Sequence, residues 1–188
     1  MSCMISHLKK VIDTFIYLFT FFHINTLDGQ RAKKFFRKDY HYLEALNSFY
    51  KFHAIPKTWS DAKRVCDLEA ATFFYPENED EAKAVTSFWE KIQPKIKWVW
   101  VGISDILVEG VFETVDGKSI DEVYTKWFDQ GQPDNYEGNE DCVTLDLIRD
   151  TNDYKCDLKS AFICKKSLQS LEWNNQCNMP NLGRFYYL

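Results

Sequence analysis

Two segments of the chain repeat their apolar residues at helical spacing. The first begins after Thr58, where Asp61 stands three residues later and completes a capping pattern. The second begins after Asn78, with Glu81 in the same relation, and Pro94 ends it. The apolar residues that share a face are Trp59, Ala62, Val65 and Cys66 in the first segment, and Ala82, Val85, Phe88, Trp89 and Ile92 in the second. The pattern therefore predicts two amphipathic helices whose apolar faces point into one core.

Short apolar runs without helical period predict the strands. An aromatic-rich run opens the domain, and four more follow Pro94; together they are residues 47–53, 98–103, 111–114, 142–147 and 161–165. Between the runs 111–114 and 142–147 lies a long segment, 116–141, that is rich in Gly, Pro, Asn and acidic residues. Loops of that length inside compact domains are usually functional or disordered. We expect this loop to be functional.

The N-terminal segment predicts export. Lys9 and Lys10 precede an apolar run of 14 residues, 11–24, which only Asp13 interrupts. This is typical of a secretory signal peptide, predicted at residues 1–29, and the run is shorter than the roughly 18 residues of a membrane span. We therefore expect a secreted, extracellular protein without a membrane span, an uncleaved anchor being the alternative. Residues 30–39, a basic leader, are predicted to be solvated.

The charge balance argues against nucleic acid as a partner. The formal net charge is −5 and the sequence pI is about 5.4. Affinity for nucleic acid comes chiefly from Lys and Arg that neutralise phosphates. No phosphate-binding surface is predicted from this composition.

The cysteines predict disulfides, because disulfide bonds persist outside the cytosol. Cys3 lies in the predicted signal peptide, which leaves an odd number: Cys66, Cys142, Cys156, Cys164 and Cys177. One of them must stay a free thiol or bond to another chain or domain. The other four cysteines can form a framework of two disulfide bonds.

Amide and carboxylate oxygens cluster in sequence around the long loop. They belong to the segments Gln132–Pro133–Asp134, Glu140–Asp141 and Asn152–Asp153, with Cys142 and Cys156 beside them. Calcium takes six to eight oxygen ligands of this kind. The sequence therefore indicates a calcium site.

The order of these motifs resembles a C-type lectin domain over about residues 40–166. The motifs are TWSDAKRVC, WVGI, QPD, NEDC, ND and FICKK. The resemblance implies an α+β fold, with two helices, small antiparallel sheets and a long calcium-binding loop region. It also implies the disulfides Cys66–Cys164 and Cys142–Cys156.

The same resemblance implies the residues of the site. The primary calcium ligands would be Gln132, Asp134, Glu140, Asn152 and Asp153. An auxiliary calcium site would use Asp105, Glu109, Asn135 and Asp141, with Glu140 in common. Pro133 would follow a cis peptide bond. Thr151 departs from the family, which usually has Trp before the Asn-Asp pair.

The implied ligand is a sugar of the galactose type. The order QPD resembles the motif of galactose-binding members of the family, whereas the order EPN is typical of mannose-binding members. The two motifs differ because exchanging the amide and the acid reverses hydrogen-bond donors and acceptors around two adjacent sugar hydroxyls. The sugar-binding residues would be Gln132, Asp134, Tyr136, Glu140 and Asn152. The ring of Tyr136 can cover the apolar face of galactose.

The end of the chain resembles the start of a second domain. In residues 167–188, Phe185–Tyr186 repeats Phe49–Tyr50 near the start of the lectin-like region. The whole chain looks like the N-terminal half of a lepidopteran immulectin, a secreted two-domain insect lectin. This implies recognition of microbial surface polysaccharides in innate immunity. The unpaired Cys177 predicts a disulfide-linked dimer.

Two alternatives stay open. A secreted hydrolase could use two loop carboxylates as acid and base, although no Ser, His and Asp order and no HExxH spacing stands out, so we expect no enzyme. A lectin-like module could instead bind protein without sugar. Substitution of Asp153 distinguishes the protein-binding module, since its affinity for a protein partner would persist when calcium binding is lost.

Overall fold

The computed structural model describes residues 36–171. Residues His41–Lys166 form one compact unit. The segments 36–40 and 167–171, which flank it in the chain, are grouped with the two chain ends, and they are not part of this unit. The predicted signal peptide, residues 30–35 of the leader, Cys177 and Phe185–Tyr186 all lie outside the described residues.

The fold is α+β, as the resemblance implied. Two α-helices are α1 (Trp59–Leu68) and α2 (Glu79–Ile92). The strands are β1 (His41–Leu43), β2 (Ser48–Lys57), β3 (Thr72–Phe73), β4 (Trp98–Ser104), β5 (Glu113–Thr114), β6 (Cys142–Asp146), β7 (Thr151–Tyr154) and β8 (Ser160–Ser167). Three short 3-10 turns complete the elements: Glu44–Leu46, Ile120–Glu122 and Tyr136–Gly138.

One sheet connects the strands. Its order is β1-β2-β8-β4-β6-β7, with β3 on β8 and β5 on β4. The pair β4 and β8 is parallel, whereas β6 and β7 form an antiparallel pair in which Thr144 lies opposite Asn152 and Val143 opposite Asp153. This pairing places the Asn-Asp pair at the edge of the sheet, next to the start of β6.

Both helices begin at the predicted caps. The Thr58 hydroxyl accepts the amide of Asp61 at 3.3 Å, and the Asn78 side chain accepts that of Glu81 at 2.9 Å. The predicted apolar faces are buried except at their margins: Val65 and Phe88 are partly buried, and Ile92 is 38% exposed. The prediction that Ile92 faces the core is wrong, because α2 ends at that residue.

The core lies between the helices and the sheet. Its largest fully buried side chains include Trp89, Trp100 and Tyr50. The disulfides pair as implied: Cys66–Cys164 joins α1 to β8, and Cys142–Cys156 joins the start of β6 to the loop after β7. The apolar contacts therefore hold both helices on the sheet, and the first disulfide also joins α1 to it.

Several strand predictions need correction. The predicted strand 111–114 is reduced to Glu113–Thr114, and β2 extends further than predicted, to Lys57. The strands β1, β3 and β7 were not predicted. They are two to four residues long, and β7 buries Thr151 and Asp153 rather than apolar residues, so hydropathy alone does not reveal them. The loop 116–141 holds no strand, as expected.

Neither α1 nor α2 has the length and apolar character of a membrane span, and no other helix of that kind lies in residues 36–171.

Candidate functional site

Three carboxylates that are distant in sequence meet at the candidate site. Asp134 comes from the long loop, Glu140 from the segment that leads into β6, and Asp153 from β7. Each offers an oxygen, and these oxygens all lie within 4.8 Å of one another. The Gln132–Pro133 peptide bond is cis, as the resemblance implied. The structure thus brings together the acidic members of the predicted ligand set.

Backbone amides of the loop orient two of these carboxylates. Asn135 donates its amide hydrogen to Asp153 Oδ2 at 2.8 Å, and Tyr136 donates to Glu140 Oε2 at 3.2 Å. In return, Glu140 donates its own amide hydrogen to Asn135 Oδ1 at 3.0 Å. The turn that makes this possible has positive φ angles at Asn135, Glu137 and Gly138. Amides of the loop therefore hold one oxygen each of Asp153 and Glu140.

Buried oxygens without a partner mark the same site. Asn152 Oδ1 and Asp153 Oδ1 are buried and accept no hydrogen bond within residues 36–171. Leaving buried polar atoms unsatisfied is costly, and such atoms usually have a ligand, ion or water as partner. Carboxylate and amide oxygens are also the ligands that calcium prefers. The residues present thus fit a calcium ion.

Electrostatic repulsion points to the same need for a cation. Burial raises the pKa of Glu140, and the negative charges of Asp153 and Asp134 raise it further, against the hydrogen bond from the Tyr136 amide. Lys155 forms an ion pair with Glu137 on the loop, and its charge offsets part of the rise in the pKa of Glu140. A divalent cation would relieve the repulsion among the three carboxylates.

The two amide side chains of the predicted set are placed differently. Gln132 Oε1 accepts the amide hydrogen of Asp134 at 3.2 Å, so in this conformation it is engaged with its own loop. Asn152 donates its Nδ2 to the carbonyl of Asp153 at 2.8 Å, which leaves Oδ1 as the unsatisfied atom. Asn152 therefore presents an oxygen as a ligand would, and Gln132 does not yet do so.

The predicted auxiliary set is gathered less tightly. Asp105 is buried, its Oδ2 accepts the amide of Gly110 at 2.8 Å, and its own amide donates to the carbonyl of Asp141 at 3.1 Å. Burial raises the pKa of Asp105, and the charges of Glu109 and Asp141 add to the shift. Asn135 already uses its Oδ1 for Glu140. Among the described residues, no group of three close carboxylates includes this set.

Thr151, the departure from the family pattern, connects the loop to the sheet. Its amide donates to the carbonyl of Lys126 at 2.7 Å, and its carbonyl accepts the amide of Phe128 at 2.9 Å. The side chain is only 1% exposed, and its hydroxyl is among the buried groups without a partner in the described part of the chain. Thr151 thus holds the middle of the long loop beside β7 through its backbone.

A pocket of about 360 Å³ that the sequence did not predict adjoins the site. It is lined by Trp98, Phe128, Gln132, Thr144, Asp146, Asp150, Thr151, Asn152 and Tyr154. Trp98 and Phe128 are visible in the sequence as aromatic residues, but nothing there indicates that they are exposed and line the same pocket. Tyr136, the predicted sugar-stacking ring, is 62% exposed and lies outside the pocket lining.

The family follows from comparison with known proteins. The family model described as "Lectin C-type domain" matches residues 55–166, more than half of the chain. The chain belongs to the C-type lectin domain family. Members of this fold family in general bind carbohydrate and are not enzymes.

Relatives and solved structures agree with this assignment. The chain is 35% identical over 132 residues to a hemolymph lipopolysaccharide-binding protein of Periplaneta americana, covering 67% of this chain and 52% of that protein. It is 35% identical over 123 residues to a lectin of Pleurodeles waltl, covering 63% and 70%. The structure of C-type lectin CEL-I from Cucumaria echinata aligns with a TM-score of 0.61 and 25% identity, covering 69% of this chain and 95% of that one. The chain spans about half the length of the first relative.

Proposed function

We propose that this protein is a secreted, calcium-dependent lectin that binds sugars of the galactose type. The observation that carries the proposal is the convergence of Asp134, Glu140 and Asp153, with the unsatisfied Oδ1 atoms of Asn152 and Asp153 beside them. The calcium ligands would be Gln132, Asp134, Glu140, Asn152 and Asp153. A bound calcium ion would supply open coordination positions for two neighbouring sugar hydroxyls.

Side chains of the protein would also form hydrogen bonds with the same two hydroxyls. Carboxylates of Asp134 and Glu140 accept hydrogen bonds, and the amide nitrogens of Gln132 and Asn152 donate them. For Gln132 this requires a rotation away from the Asp134 amide, which its half-buried position permits. The order of amide before acid in Gln132–Pro133–Asp134 favours galactose, and the exposed ring of Tyr136 can cover its apolar face.

The proposed biological role is recognition of microbial surface glycans. The hemolymph protein of Periplaneta americana is named for lipopolysaccharide binding, and its similarity supports a microbial polysaccharide as partner. One shallow site per domain binds weakly, so agglutination would need several linked sites. We propose residues 40–166 as the lectin domain and 167–188 as the start of a second one. A dimer through Cys177 would predict an intact mass that halves on reduction.

The auxiliary calcium site at Asp105, Glu109, Asn135 and Asp141 is a secondary part of the proposal. It is supported by the buried, unpartnered Asp105 Oδ1 and by the proximity of Asp141. Calcium titration by calorimetry should then give two ions per domain. A stoichiometry of one calcium ion per domain would refute the auxiliary site, while the proposal of the primary site would stand.

The direct test is retention on immobilised galactose and, separately, on immobilised mannose. Wild-type protein should be retained on galactose with calcium and released by a chelator. Asp153→Asn should abolish retention, because it removes a ligand charge at a fully buried position. Asp157→Asn is the matched control, since Asp157 carries the same charge, is exposed and lies four residues away. Retention that is unchanged both by the chelator and by Asp153→Asn would refute the proposal and favour a protein-binding module.

Sugar preference is tested by exchanging amide and acid. The double variant Gln132→Glu with Asp134→Asn keeps the number of oxygen ligands and reverses donor and acceptor around the ion. We expect its preference to shift from galactose towards mannose. Calcium affinity, measured in parallel by calorimetry, should change little. An unchanged preference for galactose would place specificity elsewhere, with Tyr136 as the next residue to substitute.

A further inference from the structure

An exposed aliphatic loop stands apart from the sites described above. Residues 106–111, here called the aliphatic tip, are all exposed, whereas Asp105 before them and Phe112 after them are buried. Single exposed apolar residues are common, but a contiguous group of them indicates an interaction surface. Four of the twelve large apolar side chains that are exposed in residues 36–171 lie in this tip: Ile106, Leu107, Val108 and Val111.

Hydrogen bonds hold the aliphatic tip in one shape. Val108 donates its amide hydrogen to the carbonyl of Asp105 at 3.0 Å, and Val111 donates to the carbonyl of Val108 at 2.9 Å. Gly110, which has a φ of 76°, donates its amide hydrogen to Asp105 Oδ2 at 2.8 Å. Two successive turns therefore present the apolar side chains before any partner arrives. A preformed surface loses little conformational entropy when it docks.

The tip begins at the end of the sheet where the candidate calcium site lies. It follows β4, and Ser104 at the end of that strand lies opposite Cys142 at the start of β6. The amide of Asp105 also donates to the carbonyl of Asp141 at 3.1 Å. Glu140 of the candidate site directly precedes Asp141 in the chain. The aliphatic tip and the candidate site therefore belong to the same end of the domain.

The side chains of the tip suit acyl chains better than a protein partner. Protein interfaces are enriched in aromatic residues, Met and Arg, and residues 106–111 contain none of these. The apolar residues of the tip are aliphatic, and such side chains transfer favourably from water into hydrocarbon. The amides of Val108, Gly110 and Val111 already have acceptors, so these donors are not left unpaired when the tip leaves bulk water.

The charges at the tip indicate which kind of lipid surface fits. Glu109 is the only charged residue among residues 106–111, and the flanking charged residues, Asp105 and Glu113, are also acidic. The chain as a whole has a net charge of −5. An anionic bilayer would repel these carboxylates at contact distance, whereas a zwitterionic bilayer carries no net charge. The surface is therefore complementary to neutral lipid.

We propose that the aliphatic tip inserts into the surface of a lipid bilayer with zwitterionic headgroups. The insertion is shallow: the apolar side chains reach the boundary between headgroups and acyl chains, and the rest of the domain stays in water. Leu107 has the most apolar surface to bury, because it is 87% exposed. The contact requires neither sugar nor calcium, so it is a binding function separate from the one proposed above.

The test is sedimentation of the purified protein with phosphatidylcholine vesicles that carry no sugar, in the presence of a chelator. Wild-type protein should associate weakly and reversibly, because few apolar side chains insert. Leu107→Asp should lower the association constant by about tenfold or more, because a charge replaces a Leu side chain that is buried in the bilayer. Leu68→Asp is the matched control: Leu68 is 74% exposed on α1, outside the tip, and its substitution should leave association unchanged.

A variant that gains a signal separates insertion from misfolding. Leu107→Trp keeps an apolar side chain and adds a fluorescent ring that favours the bilayer interface. Its association should be at least as strong as that of wild type. The added emission should shift to shorter wavelength with vesicles and should be quenched by brominated acyl chains. Leu68→Trp should show neither the shift nor the quenching.

The lipid charge provides an independent arm of the test. Replacing part of the phosphatidylcholine by phosphatidylglycerol should weaken association, and Glu109→Gln should relieve part of that loss. Stronger association with the anionic vesicles would show contact through a cationic surface and would overturn the proposal.

Three further outcomes would also overturn it. The first is that wild-type protein does not associate with phosphatidylcholine vesicles, and the second is that Leu107→Asp associates as wild type does. The third is a wild-type dimer in size-exclusion chromatography that Leu107→Asp dissociates, without any vesicle-dependent emission from Leu107→Trp. The tip would then be a contact between two copies of the chain. Retention on galactose is measured separately, so either proposal can fail while the other stands.

Discussion

The helix-and-sheet scaffold and the long loop region satisfy their buried groups in opposite ways. In the scaffold, the indole of Trp89 is fully buried and finds a partner within the chain, because its Nε1 donates to the carbonyl of Ile96 at 3.1 Å. Beside the long loop, Asp153 on β7 is equally buried, yet its Oδ1 has no partner among residues 36–171. In the scaffold, the buried atom of this kind on β8 is a neutral hydroxyl, Ser160 Oγ, whereas the oxygens gathered beside the loop include three carboxylates that the proposed calcium ion would satisfy.

The difference shows where stability and function are separated in this molecule. Apolar burial and the disulfides hold the scaffold, and they favour folding whether or not a ligand is present. The loop region gathers carboxylates at the expense of burial and mutual repulsion, which backbone amides offset in part and the proposed calcium ion would offset further. The scaffold should therefore respond to core and disulfide substitutions, and the loop region to calcium.

The largest effect is expected from the disulfide that holds the scaffold. Cys66 and Cys164 are separated by 98 residues, and Cys142 and Cys156 by 14. The chain-entropy model assigns about 4.7 and about 3 kcal/mol to loops near those sizes. Replacing Cys66 and Cys164 by Ala should therefore cost more free energy of unfolding in urea than replacing Cys142 and Cys156.

Calcium sharpens this comparison of the two bridges. Cys142–Cys156 flanks Asp141 and Asp153, so its removal should weaken calcium affinity, whereas removal of Cys66–Cys164 should leave affinity unchanged in the protein that remains folded. Calorimetric titration of both double variants provides the measurement. Equal losses of calcium affinity would contradict the separation of scaffold and loop.

The next largest effect is expected from removing calcium. Calcium at one hundred times its Kd should stabilise the folded protein by about 2.7 kcal/mol, because it binds the folded state only. Asp153→Asn should lose this increment, and in chelator it should be at least as stable as wild type, since it removes a repelling charge. Thermal unfolding with calcium and with chelator gives the comparison. A Tm indifferent to calcium would refute a cation requirement in the loop region.

A smaller effect, an increase in the free energy of unfolding, is expected from a substitution at Thr151. Its buried hydroxyl has no partner in the described residues, so Thr151→Val should raise the free energy of unfolding by about 1 kcal/mol. Thr144→Val is the matched control, because the Thr144 hydroxyl donates to the Asn152 carbonyl at 3.2 Å and its loss should destabilise. Urea unfolding of both variants would show the opposite signs. Destabilisation by Thr151→Val would mean that its hydroxyl has a partner such as water.

The smallest effect is expected at the scaffold surface. Burial raises the pKa of Glu77, but the hydrogen bond and charge of Lys165 outweigh it and hold that pKa below its ordinary value. This pair therefore adds stability above the ordinary carboxyl pKa, which is lost as pH falls through the lowered value. Glu77→Gln should cost less than about 1 kcal/mol at neutral pH, because the side chain is half exposed, and nothing in acid. Glu90 is exposed on α2, and Glu90→Gln should leave the free energy of unfolding unchanged at neutral pH and in acid.

Much of the scaffold could be predicted because its signals are local. Caps at Thr58 and Asn78, apolar faces on both helices and the end of α2 before Pro94 each depend on residues a few positions apart. The short strands β3 and β7 could not be predicted in this way. Their residues are extended because β8 and β6 lie beside them, and that neighbourhood is not written in their own hydropathy.

For the candidate site, the sequence by itself determined the donors, and tertiary structure decided how they meet. Resemblance to the family named the residues; the folded loop brought Asp134, Glu140 and Asp153 together and left Asp105, Glu109 and Asp141 outside that cluster. The pocket with Trp98 and Phe128 depends wholly on tertiary structure. The physical reason is range: capping and periodicity act within one element, whereas convergence of side chains depends on strand pairing and loop closure across the whole domain.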